Sequence, residues 1–518
     1  MKLAKKISSG ILIVLLATFA CDNALDVNNP NEPTPDIVLS EEGIKRQAIG
    51  MYDAGDGWLE WVFWQYHEHM GDNSVAPWVN FNFNRYHGSV ELIVYNDGTE
   101  WSPVDQSTTG RTQREWLEFI NDRNNSAGGF EQEWAWAYQV QNEANIMLNA
   151  LDDGVSFLGT EAVATQKENA YRAWAHFWKG YAYSRVGLLH SQGLIVNGTL
   201  SSTNNDYVSK EEILVESQRQ FDLALQYISS FDVIATDVVP TIFPTTLTSA
   251  SMEQNINSLK ARNILLSKFR DELTTADFNE VKALAEDGLT SNDGAFLIDT
   301  DNATFVNTVT YPWRMANLWS APSARLVQVM NKNGDARGAR FTGNGFATFQ
   351  NRVTQPNVNT PWYSLLPYAG TNPGDSPMYF ISAEENILML AEAELGLGNA
   401  ADAATHINTV RNMPLQQAAL PDLTAATEQD LRDERRAALF MRGTAFYDAR
   451  RFGELKSRAD GGGVSGVWVY RLDPATQTLV LEDSSTIYFD FVEYWDVPDA
   501  ETDFNAIPGD GTPETGND

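Results

Sequence analysis

Tryptophan side chains recur in this sequence in loop-like surroundings, next to amide and guanidinium groups. Trp78 follows Pro77, Trp101 lies in the segment NDGTEWSP, and Trp313 and Trp319 enclose an arginine and an asparagine. A flat indole face can stack on the C–H face of a sugar ring, while amides and guanidiniums bond to its hydroxyls. The candidate binding residues are Trp78, Asn80, Asn82, Trp101, Trp313, Arg314, Asn317 and Trp319.

The same tryptophans could instead be core side chains of a small irregular subdomain. Trp58, Trp61 and Trp64 have helical spacing, which is typical of core residues. The candidate tryptophans stand among Pro, Asn, Asp and Gly, which favour loops. Because helical hairpins form a rigid frame whose loops emerge together, we expect at least two of the four candidate tryptophans to converge on one solvent-facing patch.

A cluster of histidines raises the possibility of a metal site. His67 and His69 are two positions apart and His87 is nearby. The sequence contains no H-E-x-x-H motif, and the more economical interpretation is a polar patch at the end of a helix. We therefore predict neither a metal nor a cofactor.

Long segments with a helical period must position these loops. FEQEWAWAYQVQNEANIMLNAL, KENAYRAWAHFWKGYAYSRVGLL and EEILVESQRQFDLALQYISSF are joined by short polar connections. SLKARNILLSKFRDEL and ADFNEVKALAEDGL continue the series to about Leu289. Consecutive amphipathic helices of this kind indicate stacked helical hairpins, as in tetratricopeptide repeats. The predicted fold class is mainly α: a tetratricopeptide-like superhelix that carries a loop-rich ligand-binding subdomain with minor β structure.

The segment from Leu431 to Gly453 is predicted to be one amphipathic helix of about six turns. Arg435 and Arg442 fall inside its apolar stripe. A guanidinium in that position is tolerable only beside carboxylates, so both arginines are predicted to be buried and paired, with Glu434, Asp448 or acids of a neighbouring helix.

Between the two helical regions, Thr290 to Pro377 is rich in Asn, Gly, Pro and aromatic residues, and helices are predicted to resume only at Ser382. Near the end of the chain, the segments WVYRL and TLVLE predict a β-hairpin.

Composition excludes one class of function. The 518 residues include 36 Lys and Arg against 69 Asp and Glu, a formal net charge of −33. Such a chain repels phosphates, so a nucleic acid partner is excluded. With a single cysteine the chain has no internal disulfide, and an apolar content of 43% is ample for a large core.

The first residues have the features of a signal peptide. Lys2, Lys5 and Lys6 precede an apolar run, and Cys21 follows a stretch of small residues. Cys21 stands where a bacterial lipoprotein carries its lipidated thiol, and a stray cysteine beside an ordinary cleavage site is the alternative. The polar segment after Cys21 is predicted to be a tether, with lipid as the only membrane anchor.

Two segments carry a family resemblance. ERR at 434–436, Gly443 and FYDARRFG at 446–453 resemble the C-terminal signature of the SusD/RagB family. ENILMLAEAELGLGNAADAATHINTVRN, at 385–412, is similar to the family's other diagnostic segment. Weaker similarities involve Ala173, Phe177 and Gly187, and the final element Pro498, Glu501 and Asn505. The chain departs from the family pattern at Ala438, Arg442 and Ala445.

The resemblance implies a surface lipoprotein of the outer membrane that faces the cell exterior. It would bind oligosaccharides or polysaccharides and deliver them to a TonB-dependent, SusC-like transporter, without being an enzyme. Two alternatives stay open. A glycoside hydrolase would also use aromatic platforms but needs two opposed carboxyl groups about 5 to 10 Å apart. A protein-docking scaffold would have no small ligand.

The predicted domain organisation follows from these segments. It comprises a signal peptide (1–20), a lipid-anchored tether (21–39), an N-terminal helix with an aromatic loop region (40–128), helical repeats (129–289), a loop-rich insertion (290–381), C-terminal helical repeats (382–455), and a C-terminal hairpin with a tail (456–518).

Overall fold

The computed structural model describes residues 39–53, 66–75, 90–102, 129–198, 204–239, 247–298, 321–349, 358–365, 378–473, 475–476, 478–489 and 491–507. The predicted signal peptide and Cys21 lie outside these residues.

Helices make up most of the described structure. In chain order they are α1 (Glu41–Asp53), α2 (His67–Met70), α3 (Gly129–Asp153), α4 (Glu161–Leu189), α5 (Lys210–Tyr227), α6 (Ala235–Val238), α7 (Ser249–Leu266), α8 (Thr275–Glu286), α9 (Ala324–Asn331), α10 (Ala383–Gly396), α11 (Ala400–Asn412), α12 (Glu428–Ala438), α13 (Ala445–Arg451) and α14 (Asp499–Thr502).

The strands are short and form small antiparallel sheets. They are β1 (Ser74–Val75), β2 (Leu92–Val94), β3 (Glu100–Trp101), β4 (Gln192–Leu194), β5 (Tyr207–Ser209), β6 (Leu297–Ile298), β7 (Ala321–Pro322), β8 (Phe341–Phe349), β9 (Val358–Leu365), β10 (Met378–Tyr379), β11 (Val464–Asp473) and β12 (Thr478–Tyr488). The pairs are β1 with β7, β4 with β5, β6 with β10 and β8 with β9, and one sheet has the order β11-β12-β2-β3.

Side-chain caps start many of the helices. Thr160 accepts a hydrogen bond from the backbone N–H of Val163 at the start of α4. Ser209 and Glu212 form a reciprocal capping box at α5, and Thr427 and Asp430 form one at α12. Each cap satisfies an N–H group that has no partner within the helix, which sets the start of the helix locally.

Consecutive helices pack as hairpins. α3 packs on α4, α4 on α5, α7 on α8, and α10 on α11. The predicted mainly helical, tetratricopeptide-like fold is confirmed. Its largest core holds an aromatic cluster in which Trp178 has its ring centroid 5.5 Å from that of Trp174 and 5.5 Å from that of Phe296.

The prediction of one helix from Leu431 to Gly453 was wrong. The chain forms α12 and α13, with a break at residues 439–444. Met441 and Gly443 have positive φ angles of 62° and 69° in this break. An L-residue such as Met441 is strained there, so tertiary contacts must hold it. The two helices pack on different neighbours: α12 contacts α9, α10 and α11, whereas α13 contacts α2 and α7.

Helices also resume before Ser382, contrary to the prediction. α9 lies within the predicted insertion and begins at the N-cap Ser323, whose hydroxyl accepts a hydrogen bond from Leu326 N. The C-terminal hairpin is confirmed as β11 and β12. It does not stand alone, because β12 pairs with β2 from the N-terminal region. Within the described ranges, no helix is both long enough and apolar enough to cross a membrane.

Candidate ligand-binding site

The two segments that carry most of the candidate binding residues leave the described structure at one point. β1 and β7 are antiparallel, with Ser74 opposite Pro322 and Val75 opposite Ala321. In this register the chain departs after Val75 and returns before Ala321 at the same end of the pair. Trp78, Asn80 and Asn82 follow Val75, and the segment from Trp313 to Trp319 precedes Ala321.

Those seven candidates, namely Trp78, Asn80, Asn82, Trp313, Arg314, Asn317 and Trp319, lie outside the described residues. The structure therefore locates the roots of both segments but not the side chains themselves.

Trp101 is the candidate that the structure describes, and its predicted place in a turn was wrong. It lies in β3, at the edge of the four-stranded sheet, opposite Ile93 of β2. Its half-buried ring packs against the buried cluster that includes Ile93 and Tyr95. Residues 96–98 form the turn, and Trp101 lies in the strand that follows this turn.

The root of the first segment is held by the C-terminal helices. The guanidinium of Arg436 in α12 donates from Nη1 to the backbone oxygens of Gly71 and Asp72, at 3.2 and 3.0 Å, and to the side-chain oxygen of Asn73. A Cβ at Gly71 would lie 2.2 Å from the backbone carbon of Ala445 in α13, so only glycine fits there. This close approach seats the root directly on α13.

The root of the second segment bonds to the first. The backbone N–H of Ser323 donates to the carbonyl oxygen of Asn73 at 2.9 Å. The Ser323 hydroxyl donates to the carbonyl oxygen of Asp72 at 2.8 Å. Ser323 is fully buried. The pair of strands is thus a rigid base, with α9 behind one root and α12 and α13 behind the other.

The histidines below this base have structural partners. His67 Nε2 lies 3.2 Å from Glu133 Oε2, and Arg185 Nε donates to Glu133 Oε1 at 2.7 Å. His69 Nδ1 lies 3.1 Å from the Ser74 hydroxyl. His67 and His69 thus contact different partners, and His87 lies outside the described residues. Within the described residues, no group of three or more His, Cys, Asp or Glu has the arrangement of a metal site.

Burial sets the protonation of this cluster. It lowers the pKa of His67, more strongly than Glu133 raises it. Burial also acts to raise the pKa of Glu133, but Arg185 and His67 outweigh it, so the pKa is lowered. The His67 imidazole is neutral and the Glu133 carboxylate is ionised. Their side chains are 0% and 2% exposed, so neither can reach a substrate. The cluster joins α2, α3 and α4 and serves the fold.

Arginine–carboxylate contacts dominate the C-terminal helices. Arg435 is buried as predicted, and its Nε donates to Asp448 at 2.9 Å. Arg451 donates from Nε to Asp448 at 2.8 Å and from Nη2 to Glu392 at 2.8 Å. Glu434, a predicted partner of Arg435, instead accepts from Arg337 and Arg411.

The prediction for Arg442 was wrong in its degree of burial. Arg442 is half-buried, and its guanidinium lies 4.8 Å from the ring centroid of Tyr379. Because Arg442 falls in the break between α12 and α13, its side chain does not point along the stripe that a continuous helix would have formed.

Sequence reasoning missed Arg436, Ser323 and Asn73, which together fix the base of the loops. Arg436 belongs to the ERR motif, and this motif was the available signal. Its partners include backbone carbonyl groups of a segment more than 360 positions earlier in the chain. Gly71, for example, precedes Arg436 by 365 positions. No pattern in the sequence predicts such partners.

The final element is tied to the first hairpin. Asn505 Nδ2 donates to Glu501 Oε1 at 3.0 Å, and Trp134 Nε1 of α3 donates to Glu501 Oε2 at 3.4 Å. Tyr207 donates its hydroxyl to the carbonyl oxygen of Asn505 at 2.7 Å. The Pro498–Asn505 element therefore closes the chain onto α3 and β5.

Comparison with known proteins supports a relationship for the C-terminal part of the chain and a fold for nearly all of it. Residues 384–509 match the model of the SusD family. No curated protein sequence matches the chain.

Solved structures from Bacteroides have the same fold. A putative sugar-binding protein from Bacteroides vulgatus is 15% identical, covers 90% of this chain and 98% of its own, and has a TM-score of 0.57. A SusD-like protein from Bacteroides fragilis is 14% identical, with coverages of 92% and 97% and a TM-score of 0.54. Surface glycan-binding protein A from Bacteroides uniformis is 16% identical, with coverages of 81% and 88% and a TM-score of 0.53.

Proposed function

We propose that this chain, which belongs to the SusD family by its segment 384–509 and has the fold of SusD-like proteins, binds oligosaccharides at the cell surface. It would be held in the outer membrane by a lipid on Cys21, face the exterior, and pass its ligand to a TonB-dependent, SusC-like transporter.

The observation that carries the proposal is the pairing of β1 with β7. Trp78 follows Val75 by three residues, so its Cα is within about 11 Å of that of Val75. Trp319 precedes Ala321 by two residues, so its Cα is within about 7 Å of that of Ala321. Val75 and Ala321 are themselves paired. Two tryptophans more than two hundred positions apart thus share one origin, as a composite aromatic platform requires.

The rigidity of this origin supports binding. Arg436 and Ser323 fasten both roots to buried helices, so little conformational entropy is lost at the roots when a ligand binds. An oligosaccharide has few apolar faces, and indole rings offer them the flat surface they need.

We propose binding without catalysis. A glycoside hydrolase needs a carboxylic acid and a carboxylate that both reach the substrate. The buried carboxylates Glu392 and Glu454 accept hydrogen bonds from Arg451 and Arg325 respectively, and these arginines lower the pKa of each carboxyl group. Carboxylates paired in this way stay ionised and cannot donate a proton.

Alanine variants of the paired tryptophans test the glycan site. Trp78→Ala and Trp319→Ala are each expected to weaken retention in polysaccharide affinity gels while the melting temperature stays within a few degrees of the parent. If base–aromatic stacking is a guide, each loss is about 1 to 3 kcal/mol. Trp101→Ala is the matched control, because its ring packs on a core, so it is expected to lower the melting temperature.

Three outcomes separate the functional classes. Release of reducing sugars by the purified protein would show a hydrolase. Unchanged retention in both loop variants, with lowered melting temperatures, would place these tryptophans in a core and overturn the site. The absence of binding to every polysaccharide in a broad panel would favour a protein-docking scaffold.

The anchor has its own test. Cys21→Ser is expected to move the protein from the membrane fraction to the soluble fraction without a change in melting temperature. Retention of the variant in membranes of a strain that lacks the partner transporter would contradict lipidation at Cys21.

A further inference from the structure

A cavity of about 450 Å³ lies between α9, α12, α13 and the bulged strand β11. Its volume falls within the range of small-ligand sites, which is roughly 300 to 1,000 Å³. Asn73 lines one side, so the cavity adjoins the base of the loops but is bounded by other elements.

Basic side chains are concentrated in this wall. Among the described residues that line the cavity are five of the chain's 36 basic residues and three of its 69 acidic residues, Asp433, Asp448 and Glu454. A chain with almost twice as many acids as bases therefore presents more cations than anions here. The basic residues are Arg325, Lys332, Arg432, Arg435 and Arg436.

The acids of the wall are already shared. Asp448 accepts from both Arg435 and Arg451. Glu454 binds Arg325 through two hydrogen bonds of 2.8 and 2.7 Å and lies 3.6 Å from Arg436 Nη2. Asp72, behind the wall, lies 4.0 Å from Arg325. These contacts hold the arginines in place but do not use all of their donors.

Two guanidinium nitrogens in the wall have no acceptor among the described residues. They are Nη1 of Arg435 and Nε of Arg432. A buried donor without a partner is unfavourable, and more so when it is charged. An incoming anion would recover that free energy. Arg432 Nη2 already pairs with Glu428 at 2.8 Å, and 28% of the Arg432 side chain is exposed.

The rest of the wall suits a hydroxylated ring. Trp468 is half-buried, Phe452 stacks under the Arg432 guanidinium at 4.2 Å, and Gln429 stands exposed at the rim. The strand β11 changes register between Ser465 and Val467, with Gly466 at a φ of 74° between them. Bulges of this kind redirect side chains beside binding sites.

We propose that this cavity is a second binding site, selective for a sugar unit that carries a carboxylate, such as a uronic acid. The carboxylate would bind the free donors of Arg432 and Arg435, and the ring would lie against Trp468. Arginine binds carboxylates through paired, charge-assisted hydrogen bonds, which favours an acidic over a neutral sugar.

Calorimetric titration with D-galacturonate and with D-galactose tests the selectivity. The parent protein is expected to bind galacturonate in a saturable manner and galactose at least tenfold more weakly. Arg432→Gln removes the accessible charge, and Gln429→Glu adds a repelling charge at an exposed position. Each is expected to weaken galacturonate binding at least tenfold. Arg471→Gln, also an arginine but on the part of β11 away from the cavity, is the matched control and is expected to bind normally.

The outcomes also distinguish this site from the loops. Trp78→Ala combined with Trp319→Ala is expected to retain galacturonate binding even where neutral glycan binding is lost. Equal affinity for both sugars, or unchanged galacturonate binding in the folded Arg432→Gln and Gln429→Glu variants, would show that the arginines only stabilise the fold. A trigalacturonide that binds no better than the monomer would assign the site to free acids instead of chain ends.

Discussion

The core around α3 and α4 and the core of the C-terminal helices α10 to α13 are equally buried, but different contacts hold them. The first is a cluster of aromatic rings, with Phe296 and Phe380 stacked at 4.5 Å against Trp178 and Tyr181. The second contains fully buried ion pairs such as that between Arg451 and Glu392.

This difference has a functional reason. Aromatic rings can pack in either stacked or edge-to-face arrangements. Guanidinium hydrogen bonds, in contrast, fix the position and orientation of the groups that they join. The loop roots at Gly71–Asn73 are fastened by Arg436 from the ion-paired region. The aromatic region supplies bulk stability, and the ionic region holds the base of the proposed glycan site.

Removal of a central arginine is expected to give the largest effect. Arg451→Ala leaves Glu392 without its bidentate partner and Asp448 with one partner fewer. Loss of one member of a buried pair costs about 3 to 5 kcal/mol, and here two carboxylates are affected. Urea denaturation measures this. Arg458→Ala removes a pair that is about half exposed, and is expected to have a much smaller effect. Equal losses would mean that the buried network is energetically neutral.

Removal of a central ring is expected to cost nearly as much. Trp178 has no exposed surface and lies at the middle of the aromatic cluster. Trp178→Ala should lower the free energy of unfolding by about 3 to 5 kcal/mol. Phe504→Ala, at a residue that is 86% exposed, is the control. Because an indole does not titrate, the Trp178→Ala loss should be the same at pH 5 and pH 8, which a denaturation series at both values checks.

Glu68→Gln is expected to stabilise the protein at high pH. Burial raises the pKa of Glu68 to about 7, against the effects of Asn73 and Arg436. A carboxyl group with a raised pKa in the folded state favours folding below its ordinary pKa, and this contribution is lost as the pH rises through 7. The variant should therefore match the parent near pH 4 and exceed it by roughly 1 to 3 kcal/mol at pH 8. A parent of equal stability at pH 8 would show that Arg436 fully compensates Glu68.

Arg442→Ala is expected to have the smallest effect. The side chain is half-buried and lies over Tyr379, an interaction worth about 0.5 to 2 kcal/mol. Thermal unfolding should show a shift of a few degrees, far below that of Arg451→Ala. A loss comparable to that of Arg451→Ala would restore the original prediction of a buried pair at this position.

Much of the helical frame could be predicted from local patterns. The periodic segments correspond to α3, α4, α5, α7 and α8, and the diagnostic segments to α10 to α13. The burial of Arg435 followed from its position in an apolar stripe. The site was harder to predict from the sequence. Trp101 had the surroundings of a turn residue, but it lies in a strand and pairs with Ile93.

The sequence by itself determined the elements that depend on neighbouring residues: helical periods, N-caps such as Thr427, and the β11–β12 hairpin. Only the tertiary structure decided the break at Met441, the pairing of Val75 with Ala321, and the addition of β2 to the C-terminal hairpin. The two strand pairings join residues hundreds of positions apart. Their free energy comes from packing and from hydrogen bonds to backbone groups, which every residue carries alike, so no local pattern of side chains encodes them.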